Sequence, residues 1–230
     1  MRKISDDIWI LDGEAVPFLS LPFTTRMTVV RLPEDQLWVH SPIKLTSEIK
    51  SQLADLGEVK YLIAPNHLHH LFIADWQSCY PDAMTFGTRE VITKRGDIIF
   101  SSSLNDDQKW PWADEIDQVM FTGSPLMEEC VFFHIKSGTL IVTDLIENFP
   151  SSNFNHWQRL IAKGVGILAP NGKMPLDWRL SFTFGKSQAR EHLNQIIAWH
   201  PKVIVMSHGE IVESGAKQFI ERSFKWLRYK

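Results

Sequence analysis

Apolar runs and polar breaks divide the chain into short strands and amphipathic helices. Residues 8–11, 26–32 and 36–40 read as strands, and Pro33-Glu34-Asp35 between the last two is a hairpin turn signal. Thr46 caps a helix with Ile49, Leu53 and Leu56 on its apolar face and Gly57 as its stop. A continuous apolar strand at 61–64 runs into Pro65-Asn66. Residues 74–80 read as a helix ended by Pro81, residues 84–86 as a short strand and 89–94 as a helical turn. The segment 98–114 is polar and irregular and holds Trp110-Pro111-Trp112, the pattern of a long loop acting as a lid or an insertion. Strands at 116–121, 130–135 and 139–143 follow, then a helix at 156–162 and a strong amphipathic helix at 188–199. A strand at 203–207 and a terminal helix at 214–227 close the pattern. No stretch is rich enough in Pro, Gly or Ser to act as a linker, so a single domain over residues 1–230 is expected.

Three of these strands finish with side chains of metal-ligand type. The strand at 61–64 delivers His67, His69 and His70 within four residues. The strand at 139–143 ends in Asp144, and the one at 203–207 ends in His208, followed by Gly209. Imidazole is the commonest protein metal ligand and titrates near neutrality. Zinc accepts mixed His and carboxylate shells, and sites in α/β folds collect at the carboxyl ends of strands. A single such residue has an ordinary structural explanation: Asp144 as a cap, His208 as a turn residue. Three strand ends carrying them together point to a shared site.

Bulk properties narrow the function classes. The chain has 230 residues, 44% hydrophobic and 22% charged, with a net charge of −3. It shows no basic stripe interleaved with aromatics, so nucleic acid is not an expected partner. No apolar run approaches the ~18 residues of a membrane span, and no membrane partner is expected. Cys79 and Cys130 fit no C-x-x-C pattern and read as buried thiols of a reduced compartment, which places the protein in the cytoplasm. The nine Trp residues are spread along the chain, as core and pocket walls require.

Taken in order, the His-rich loop, the strand ending in Asp144 and the strand ending in His208 resemble the metallo-β-lactamase superfamily. A closer likeness is to an uncharacterised branch of it, a domain of unknown function. The matching landmarks are Leu37-Trp38-Val39-His40-Ser41-Pro42, Ala64-Pro65-Asn66 with His69-His70-Leu71-Phe72, Glu129 before Val131-Phe132-Phe133, the run from Thr139 to Leu145, and His208-Gly209. The resemblance implies a four-layer αββα sandwich. It also implies a metal held by His67, His69, His70, Asp144 and His208, with Glu129 as a further ligand or a carboxylate orienting one.

The chain departs from the superfamily loop H-x-H-x-D-H. With His67 and His69 as its first two histidines, the following Asp-His pair becomes Leu71 and Phe72; with His67 as the second and His70 as the last, Pro65 replaces the first. The lone middle His is missing too: its stretch offers Ser124, Glu128 and Glu129, with His134 as a substitute. The expectation is therefore a single divalent ion, zinc before manganese or iron, in a hydrolase of an unknown small molecule. In that scheme His69 or His70 takes the general-base role, and the 98–114 loop roofs the pocket. A metal-free binding module on the same fold is the alternative, and redox chemistry at an iron site ranks below both.

Overall fold

The computed structural model describes residues 1–18 and 21–227. The chain forms two compact units, one of residues Met1–Glu14 and Thr25–Glu115, the other of Ala15–Thr24 and Ile116–Lys230.

A seven-stranded sheet organises the first unit. Its strands, in spatial as well as chain order, are β1 (Arg2–Ser5), β2 (Ile8–Phe18), β3 (Leu21–Arg31), β4 (Gln36–His40), β5 (Glu58–Ala64), β6 (Met84–Gly87) and β7 (Ser102–Ser103). The tight Pro33-Glu34-Asp35 turn, with Glu34 and Asp35 at positive φ, returns β3 antiparallel onto β4. From β4 onward the pairing is parallel, so each step needs a crossover. Helices α1 (Ser47–Ala54), α2 (Ile73–Cys79) and α3 (Arg89–Lys94) supply the crossovers. As the sequence indicates, the Thr46 hydroxyl caps α1 by accepting from the Ile49 amide.

Strand periodicity sorts the side chains of this sheet onto two faces. Leu37, Val39, Leu62 and Ala64 pack in one core with Ile49, Leu53, Trp76 and Val91 of the helices. The alternate positions Trp38, Tyr61 and Phe86 meet Trp112 edge-on, at 6.1, 5.4 and 4.9 Å between ring centroids. Trp112 in turn stacks on Trp110 at 5.4 Å. The segment 98–114 is thus irregular, as expected, but its two Trp side chains are buried anchors of the first unit rather than a mobile lid.

The second unit holds a four-stranded sheet of β8 (Ile116–Phe121), β9 (Glu129–His134), β10 (Thr139–Val142) and β11 (Val203–Met206), in the order β11-β10-β9-β8. Neighbours are antiparallel except β10 and β11, which run parallel. Helices α4 (His156–Val165), α5 (Leu176–Ser181) and α6 (Lys186–Ala198) fill the connection from β10 to β11, and α7 (Ala216–Ser223) follows. Asn155 and Gln158 form a reciprocal capping box at the start of α4, and Gly166 ends it in the left-handed region. α5 escapes the sequence pattern because it has only six residues, introduced by Pro175. No helix among the described residues is long and apolar enough to cross a membrane.

The aromatic cover gives a stability prediction. Trp112→Ala removes a fully buried indole touching four aromatic rings and is expected to cost about 3–5 kcal/mol, read as a fall in the urea midpoint at unchanged m-value.

Candidate metal centre

The β10–β11 register aligns Asp144 with His208. The strands pair Thr139 with Val203 through to Val142 with Met206, one residue for one. The Ser207 amide still donates to the Val142 carbonyl at 3.2 Å, so the same offset carries past the strands to Asp144 and His208. There the His208 Nε2 lies 3.0 Å from Asp144 Oδ1, both side chains buried. On the other side of β10, the antiparallel register with β9 pairs Thr139 with His134 through to Ile141 with Phe132, and β9 begins at Glu129.

Glu129 is fully buried. Its Oε1 accepts from the Thr143 amide at 2.7 Å, and its Oε2 accepts from the Asp144 and Leu145 amides at 2.8 and 3.0 Å. A fully buried carboxylate tolerates its environment only when its lone pairs are used, and three N–H donors use them. The result is a backbone clasp that fixes where Asp144 leaves β10. Glu147, three residues on, is a buried carboxyl whose pKa is raised well above the usual range, first by burial and then by Asp144, Asp177 and Glu129.

His208 is held from behind. Its Nδ1 lies 2.7 Å from the Thr24 carbonyl oxygen, which can only accept, so Nδ1 carries the proton. Gly209 follows at φ +91°, and a Cβ there would come within 2.1 Å of the Asn148 carbonyl oxygen. The His208 carbonyl accepts from the Asn148 amide, and the Glu210 amide donates back to Asn148 O. Only glycine allows that approach.

The histidine loop of the first unit is built by side chains instead. The Asn66 Oδ1 accepts from the Leu68 and His69 amides at 2.9 and 3.1 Å, the local turn its side chain favours. Ser41 leaves β4 at φ +53°, and its hydroxyl shares a 2.6 Å hydrogen bond with His69 Nδ1. α3 and the residue after it grip the rest. His67 Nδ1 donates to the Glu90 carboxylate at 2.7 Å, and Lys94 Nζ donates to the His67 carbonyl at 3.1 Å. Arg95 Nη1 donates to both His70 Nδ1 (2.8 Å) and His70 O (3.0 Å), itself braced by Asp97.

That guanidinium decides the chemistry of His70. Arginine offers only N–H donors, so His70 Nδ1 must accept, and the neutral ring carries its proton on Nε2. Burial, then Lys94 and Arg95, push the His70 pKa down to about 4. His40, stacked on Trp38, is lowered as well, first by burial and then by His69. His134, the substitute for the missing middle histidine, bonds the Ser137 hydroxyl at 2.8 Å and holds the turn before β10.

The family model "Domain of unknown function (DUF4336)" matches residues 5–163. The chain belongs to this family. No curated protein matches the DUF4336 chain. Among solved structures, the DIM-1 metallo-β-lactamase aligns over 99% of this chain and 95% of its own, at 9% identity and a TM-score of 0.68. The metallo-β-lactamase of Hirschia baltica aligns over 99% and 97%, at 15% identity and a TM-score of 0.64. Rubredoxin oxygen:oxidoreductase of Desulfovibrio gigas aligns over 99% of this chain but 61% of its own, at 12% identity and a TM-score of 0.67. The fold of this DUF4336 chain is therefore that of the metallo-β-lactamases, the class its sequence suggests.

The sequence picks out every histidine of the loop, Asp144, His208 and Glu129, but not the groups that orient them. Ser41, Thr24, Glu90 and Arg95 carry no ligand signature. Ser41 alone leaves a trace, in the His40-Ser41-Pro42 run that ends β4.

Two predictions follow from the geometry. Glu129→Gln turns an amide N–H₂ toward donors that need an acceptor, and is expected to lower stability by about 3 kcal/mol in thermal melts. For His70, the native ring with a pKa of about 4 stays neutral while the unfolded chain, near 6.5, takes up a proton. Its stability contribution is full above pH 6.5 and is lost as pH falls toward 4, by at most about 3 kcal/mol. Melts across that window in chelator are expected to show a slope that is shallower in His70→Gln.

Proposed function

We propose that Asp144 and His208 together hold one divalent cation, zinc before manganese or iron, and that the protein is a metal-dependent hydrolase of a small molecule. The observation that carries this reading is the 3.0 Å separation of His208 Nε2 and Asp144 Oδ1. With Nδ1–H committed to Thr24, a neutral His208 turns the Nε2 lone pair toward a carboxylate oxygen. Two electron-rich atoms converge, and a cation between them removes the repulsion. Histidine and carboxylate are the donors that zinc, manganese and iron accept.

When bound, such an ion acts as a Lewis acid that brings a water's pKa down to about 7. The chain's own residues do the rest. Thr24 fixes the tautomer that leaves the Nε2 atom of His208 as a lone-pair donor to the ion, the usual duty of a group behind a ligand. Glu129 sets the carboxylate of Asp144 through the backbone. His70 offers a proton on Nε2 rather than a lone pair, so its ring is a hydrogen-bond donor and not a metal ligand. It is poorly suited to general-base work. The proposed ligand set is thus narrower than the sequence suggests, with His67 engaged by Glu90 and His70 by Arg95. The free thiols of Cys79 and Cys130 suit the cytoplasmic setting that belongs to this reading.

A second reading has an observation of its own. A distance of 3.0 Å is also that of an imidazolium–carboxylate pair, as in a metal-free binding module on this fold.

Elemental analysis of protein purified without chelator separates the two. About one equivalent of Zn, Mn or Fe supports the hydrolase, and none supports the module. Asp144→Ala and His208→Ala are expected to lose the metal and with it the ligand-linked stability, about 2.7 kcal/mol when free metal stands a hundredfold above Kd. The same substitutions should shift the melting of chelated protein by less. Equal shifts in the two preparations would overturn the shared-metal reading.

A further inference from the structure

α4 turns its apolar stripe the wrong way for a globular helix. Trp157, Leu160 and Ile161 recur at helical spacing, and all three face solvent, Trp157 with 74% of its surface exposed. The helix buries only Ala162, which packs with Phe149, Phe154 and Ile167. α5 repeats the pattern on a smaller scale. Trp178 points inward, while Leu176 and Leu180, four residues apart, are exposed, and Phe184 beyond them is fully exposed. Arg179 of α5 donates to the Val165 carbonyl at the end of α4, so the two helices adjoin within the second unit. Isolated surface leucines need no explanation, but a stripe of this size on one segment does.

The charge of the same segment says what covers it. From His156 to Lys186 the chain carries five Lys and Arg residues and one acid, Asp177, although the protein as a whole has a net charge of −3. Arg159, Lys163 and Lys186 are exposed beside the apolar side chains. On the α4 wheel, His156, Arg159 and Lys163 form a flank next to Trp157 and Leu160. A two-fold interface between copies of this chain would set like charge against like, because the same patch faces itself. An anionic surface meets both needs at once: it attracts the basic flank and accepts Trp, Phe and Leu at its boundary.

We propose that the outward faces of α4 and α5, with Phe184, seat this protein on an anionic lipid bilayer. The contact is interfacial and spans nothing. It departs from the expectation of no membrane partner, which rests on the absence of long apolar runs. A surface helix needs none, only a stripe and a flank.

The test is co-sedimentation of the full chain with vesicles of phosphatidylcholine alone and of phosphatidylcholine mixed with phosphatidylglycerol. Wild type is expected to bind the mixed vesicles and to leave them as salt shortens the screening length. The pair Lys163→Gln and Lys186→Gln is expected to weaken binding roughly 25-fold, at about fivefold for each cation brought to the surface. The pair Trp157→Ser and Phe184→Ser is expected to weaken it by at least about tenfold. All four side chains are exposed, and unchanged melting of each variant secures that it is folded. Equal binding to both vesicle types overturns the proposal, as does no binding to either. In the latter case sedimentation velocity decides what the face does instead. A dimer dispersed by Trp157→Ser and Phe184→Ser assigns it to a second copy.

Discussion

A single buried carboxylate organises the strand ends of the second unit. Glu129 takes three backbone N–H groups from consecutive residues, and in doing so it terminates β10 and aims Asp144. An unsatisfied carboxylate at that depth would be intolerable, and three unsatisfied amides nearly as costly. Each side of the arrangement is stable only because the other is present. The residue most useful to a metal is therefore positioned by one that need never touch it.

The two units position their imidazoles by different physics. Asp144 and His208 ride on a hydrogen-bonded register, where backbone geometry sets the spacing and a side chain has only to stand up. The His67–His70 loop has no ladder to lean on. It is held by Asn66 and Ser41 and by Glu90 and Lys94 of α3 and Arg95 just after it. Such a clasp fixes protons as well as positions. Glu90 accepts a hydrogen bond from one ring, and Arg95 donates one to another.

Much of this was legible in the sequence, and the reason is periodicity. Strands β4, β8 and β10 and helices α1 and α6 announce themselves by alternation or by a 3.6-residue repeat, and the fold follows from their order. The ligand-type residues were legible because they sit where apolar runs stop. Their supports were not. Ser41 acts through a left-handed backbone conformation, Thr24 through a carbonyl oxygen that every residue has, and Arg95 through a direction in space. None of these is a residue-type signal. The polar, irregular segment 98–114 reads equally as a lid or an insertion, and its two indoles are found buried on the sheet of the first unit. Glu129 was visible as a landmark, yet its role as a backbone acceptor depends on a strand register that no local pattern reveals.

The bond between His208 and Thr24 joins residues 184 positions apart. In folding terms that is a contact of very high order, closed late because a long stretch of chain must be ordered before it is rewarded. The histidine loop, by contrast, is tied by partners 23 to 28 residues away. A nascent chain can thus organise its first imidazoles early, while the proton on His208 is assigned only when the two ends of the sequence have met. Late assignment of that proton would keep the Asp144–His208 pair from being ready for a cation in a half-folded chain.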